Sequence, residues 1–95
     1  MSPAPHVQWK TLEELEGSLL RLRQVYADEP ARRQEVRAAV IRAKDRARAA
    51  SRNPKVSPAK RSEKDEMVKW MLVWLDDPAI FADWVTLRRT RLNGG

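Results

Sequence analysis

The stretch Asn53-Pro54-Lys55-Val56-Ser57-Pro58 decides how the chain divides. Each proline pushes the residue before it toward extended backbone, so Asn53 and Ser57 belong outside helix. Ser57 also carries a hydroxyl able to accept a free backbone N–H, and Pro58 has the preset φ of a first helical residue. Residues 53–57 therefore read as a break, with one helix ending before it and another beginning beyond it.

Upstream of the break, Val36, Val40, Ala43, Ala47 and Ala50 recur at spacings of four and three. That is the stripe of a helix, expected over Pro30–Ser51. Its last three members are alanines. Either bulky side chains from elsewhere cover this smooth end, or the end projects as an arm. Asp28-Glu29-Pro30 separates it from an earlier helix striped by Leu12, Leu15, Leu19, Leu22 and Tyr26. Thr11 and Glu14 have capping-box spacing, the hydroxyl taking a free N–H and the carboxylate reaching back to the Thr11 N–H. Residues 1–10 contain Pro3 and Pro5 and read as an extended lead-in. Trp9 is too large and apolar for a segment that touches nothing.

Downstream, a third helix is expected from Pro58 to Leu75 or Asp76. Between Met67 and Leu75 only Lys69 is charged. A helix with no polar face is buried on several sides, at the centre of a bundle or in a subunit interface. Asp77 caps a fourth helix opened by Pro78, with Ile80, Phe81, Trp84 and Leu87 expected inward and Asn93-Gly94-Gly95 ending it. Trp70, Trp74 and Trp84 are expected in one core. No segment has the alternation of a strand. The expectation is an all-α chain: one domain over residues 1–95, a compact four-helix arrangement of two helical hairpins. One hairpin is Ala/Arg-rich and the other Trp/Met-rich.

Charge is distributed unevenly over this frame. Residues 31–64 hold twelve Lys/Arg against three acids, and twelve less three leaves +9, whereas the whole chain carries +6. Such a concentrated field points to an anionic partner. With Val36, Val40 and Ala47 inward at 100° per residue, Arg37, Lys44, Arg48 and Arg52 fall on one flank running round to the back, and Arg42 and Arg46 on the other. The following loop adds Lys55, Lys60 and Arg61. Arg37, Lys44, Arg48 and Arg52 are expected to be largely solvent-accessible.

The catalytic inventory is thin. There is no cysteine, one histidine and no glycine-rich loop. Disulfides, thiolate metal sites and cysteine nucleophiles are excluded. His6 lies in the lead-in without an evident partner for its second ring nitrogen. The acids Asp76 and Asp77 are accounted for by capping, and Glu13, Glu14 and Glu16 by the helix dipole. A helix–turn–helix reading fails because its recognition helix would begin with Pro78-Ala79-Ile80-Phe81 behind two acids, which repel phosphate.

No signal peptide or membrane span is read, so a cytoplasmic protein is expected, and the initial methionine suggests a complete gene product. The expected function is a non-catalytic basic module without cofactor or metal. It would contact a nucleic-acid backbone through Arg37, Lys44, Arg48, Arg52, Lys55, Lys60 and Arg61. The alternative is a protein–protein adaptor or homodimer using residues 67–84, with the basic face meeting an acidic protein or serving solubility.

Overall fold

The computed structural model describes residues 4–94. Four helices follow one another: α1 (Leu12–Asp28), α2 (Arg33–Ser51), α3 (Pro58–Asp76) and α4 (Pro78–Gly94). The expected stop after α4 includes Gly95, and the lead-in includes residues 1–3, all outside the described residues.

The helix starts follow local chemistry. Thr11 Oγ1 accepts from the Glu14 amide at 3.0 Å, but Glu14 Oε1 accepts from the Lys10 amide at 3.2 Å, one residue earlier than the capping box places it. Ser57 Oγ accepts from the Lys60 amide at 3.3 Å. Asp77 Oδ1 accepts from Ala79 at 2.9 Å and Ile80 at 3.4 Å. Glu29 offers no side-chain cap, and Pro30–Arg32 winds as a 3₁₀ turn before α2 begins. Without a capping oxygen, the Arg32 amide closes onto the Glu29 carbonyl at 2.8 Å, the tighter i to i+3 bond.

α3 is the central helix. It packs against the other three and most extensively against α2. The pair is antiparallel: the 52–57 connection joins their near ends, and Arg37 early in α2 bonds Leu75 late in α3. Met67, Val68, Trp70, Met71 and Trp74 are buried, as the unbroken apolar run implies. Trp70 packs edge-on to Trp84 at 5.5 Å and Trp74 edge-on to Tyr26 at 5.7 Å. The Trp74 indole N–H donates to the Leu19 carbonyl at 2.9 Å, so this buried polar atom is satisfied.

Most of the alanine end of α2 is covered. Ala43 and Ala47 are buried with α3 and the lead-in, whose Val7 joins the core, while Ala50 is half-buried at the border of a cleft. The lead-in is tied down by Ser18, a fully buried residue of α1. Its hydroxyl accepts from the Gln8 amide at 3.1 Å and donates to the His6 carbonyl at 3.3 Å.

α4 departs from expectation. Phe81 is buried and Trp84 half-buried, but Ile80 is 53% and Leu87 64% exposed, and Val85 takes the inward place. Among the described helices α4 touches only α1 and α3, so a single face of it is covered by them. At about 100° per residue, the face that holds Phe81 and Val85 lies about 130° from the edge that holds Ile80 and Leu87.

Candidate functional site

The cations of residues 31–64 divide into those that hold the fold together and those that do not. Arg37 is the clearest of the first kind. Its Nη1 donates to the Leu75 carbonyl at 2.8 Å. Leu75 lies in the last turn of α3, where carbonyls have no intrahelical partner, and a cation there also suits the dipole. Arg37 is thus a cross-helix cap and is half-buried, which corrects the expectation that it is largely accessible. Its flank of α2 is the seam with α3, because α3 covers more of α2 than the valine–alanine stripe alone.

Two further residues expected to be accessible share this fate. Lys44 is half-buried and pairs with Asp45 at 3.4 Å. Arg48 is half-buried, although no acid pairs with it. In the following segment Arg61 is also half-buried, with its Nε enclosed. Arg33 lies over the Tyr26 ring at 5.0 Å and donates to the Tyr26 carbonyl at 2.7 Å, clamping the α1–α2 turn. Arg32 stands beside Glu29 and Glu35.

Arg52 remains exposed as expected, and Lys55 and Lys60 of the candidate site are exposed too, with Lys60 standing 3.9 Å from Glu63. The structure adds Arg42 and Arg46. Both are exposed and border a small groove against Pro5, His6, Val7 and Trp9 of the lead-in. They lie on the flank that α3 leaves open. The side chains of Arg42, Arg46, Arg52 and Lys55 make no hydrogen bond or ion pair among the described residues, although the Lys55 amide donates to Asn53 Oδ1 at 2.9 Å. The sequence contained their signal, a second cationic flank at i, i+4. It could not say which flank the neighbouring helix would occupy.

Beside the groove, on the other side of the lead-in, lies a cleft of about 530 Å³ bordered by Trp9, Lys10, Glu14, Ala50 and Lys64 among others. The Lys64 ammonium sits over the Trp9 ring at 5.1 Å and donates to the Lys10 carbonyl at 3.4 Å. Trp9 borders both hollows; of the two lysines at the cleft, Lys10 is exposed, whereas Lys64 is half-buried and stands 3.8 Å from Glu63.

The arginines of α4 are mostly engaged. Arg88 covers the Trp70 ring at 4.8 Å, and Arg89 Nε donates to the buried Glu16 at 3.1 Å. Among the described residues no cluster of acids and histidine is arranged to hold a metal ion, and no helix is long and apolar enough to cross a membrane. No family model matches the sequence, and comparisons with curated proteins and with solved structures found no match either.

Proposed function

We propose that the protein is a non-catalytic module that binds a nucleic-acid backbone along the open flank of α2 and the connection after it. Arg42, Arg46, Arg52 and Lys55 would contact phosphates, with Lys60 at the margin. The observation that carries this reading is that the side chains of Arg42, Arg46, Arg52 and Lys55 have no acid of their own among the described residues. Asp45, the acid nearest in sequence, is turned to Lys44. Surface helices usually mix signs, and leaving several cations unpaired on one open flank gives a field that a polyanion neutralises. Backbone contacts of this kind supply affinity with little sequence preference.

The test is fluorescence anisotropy with labelled mixed-sequence duplex and single strands, titrated at several salt concentrations. Wild type should bind at about 50 mM salt and weaken steeply as salt rises. Replacing Arg42, Arg46, Arg52 and Lys55 by glutamine should remove most of the affinity and leave the fold intact. Each lost phosphate contact should flatten the log–log salt slope for duplex by about 0.9. No binding at low salt would overturn the proposal. Undiminished binding by the quadruple variant would overturn this placement of the site.

A further inference from the structure

The edge of α4 that the core leaves uncovered carries Ile80, Trp84, Leu87 and Arg91, spaced four, three and four apart on one stripe. Ile80 and Leu87 are the exposed pair noted above, and Trp84 between them is half-buried. This makes a continuous apolar strip, unlike a scatter of single exposed side chains. Its two ends carry opposite charge. Asp76 and Asp77 stand at the mouth of the helix, and Arg91 closes the strip. Asp77 is occupied as the cap. Asp76, the last residue of α3, and Arg91 are exposed, and neither side chain has an ion pair or hydrogen bond among the described residues.

We propose that this strip pairs two copies of the chain in an antiparallel two-fold dimer. A two-fold axis crossing α4 between Asp83 and Trp84 sets Ile80 of one copy against Leu87 of the other, and the symmetry repeats the contact. The same rotation carries the acidic mouth of each helix, with Asp76, toward Arg91 of the second copy. It also places the helix dipoles antiparallel. An occupant of uniform charge, acidic or basic, would meet like charge at one end. A second copy turned end for end meets opposite charge at both. α4 makes no contact with α2, so the dimer leaves the open flank of α2 free and stands whether or not that flank binds nucleic acid.

Sedimentation velocity on the full-length, nuclease-treated chain, from micromolar to sub-millimolar concentration, tests this. Wild type should shift from monomer toward dimer with concentration. Leu87→Glu should weaken association by more than about a hundredfold, since it buries a charge at the centre of the interface twice over. Asp76→Arg and Arg91→Glu should each weaken it by about tenfold, because two attractive pairs become two repulsive ones. An equimolar mixture of the two variants should regain wild-type association, since both contacts are again between opposite charges. Unchanged helical content by circular dichroism separates these effects from unfolding. Three results would each overturn the proposal: wild type monomeric throughout, Leu87→Glu associating normally, or a mixture no stronger than its components.

Discussion

Ser18 shows how much one buried side chain can organise. A serine inside an apolar helix face looks like a weak point in the α1 stripe. Its hydroxyl instead satisfies two backbone groups of the lead-in, the Gln8 amide and the His6 carbonyl. Buried backbone groups must find partners, and an extended segment lying on a helix has no ladder to supply them. Ser18→Ala should therefore cost about 0.5–1.5 kcal/mol, the net worth of an ordinary hydrogen bond, since His6 and Gln8 are exposed enough for water to take over. Chemical denaturation gives the loss, and amide exchange at Gln8 should quicken while the centre of α3 stays protected. An unchanged Gln8 rate would show that the lead-in is held by Val7 and Trp9 alone. Sequence placed Trp74 in the core by its spacing from Trp70, Met67 and Met71. It had no means of pairing Ser18 with residues ten and twelve positions away, because a serine hydroxyl has no periodic signature.

The elements themselves were legible because their ends are local. Thr11, Ser57 and Asp77 act within one turn, and α1, α3 and α4 start where those residues place them, whereas α2 starts three residues after Pro30 because Glu29 supplies no cap. What joins the elements was less visible. Arg37 reads as one more surface cation until α3 lies beside it, and then it caps a helix that is not its own. Arg37→Gln should cost about 1.5 kcal/mol through the lost charged hydrogen bond at the α3 C-terminus. Arg42→Gln, with no partner to lose, should stay within about 0.5 kcal/mol of wild type. Thermal melts of the two variants side by side make the comparison. Equal melting temperatures would mean that the Arg37–Leu75 bond contributes nothing to docking α2 on α3. α4 presents the converse case. Its apolar residues face both ways round the helix, so pattern alone could not choose Phe81 and Val85 over Ile80 and Leu87.

The whole molecule is 21 Å in its thinnest direction, about two helix diameters. Within it one core cluster runs from Val7 of the lead-in to Val85 of α4. A chain of 95 residues buries too little surface for any part to fold by itself, so each segment depends on the rest. Removing residues 1–9 should therefore lower the stability of the entire domain. Val7 alone contributes about 1.5–3 kcal/mol by burial. Calorimetry should show one transition moved to lower temperature for the truncated chain. A melt identical to wild type would show that the lead-in merely rests on the surface.

By itself the sequence determined the four helices, most of their boundaries, most of the α1, α2 and α3 core stripes and the concentration of charge in residues 31–64, while the start of α2 moved from Pro30 to Arg33. All of these follow from interactions within a few residues, which spacing records. Only the tertiary structure decided which α2 flank α3 covers, which cations thereby became struts, and which edge of α4 was left bare. A helix presents its flanks symmetrically about its apolar stripe, and a neighbour breaks that symmetry. The break turned Arg37 and Lys44 inward, left Arg42 and Arg46 open, and exposed Ile80 and Leu87, because so small a core cannot cover every apolar side it offers.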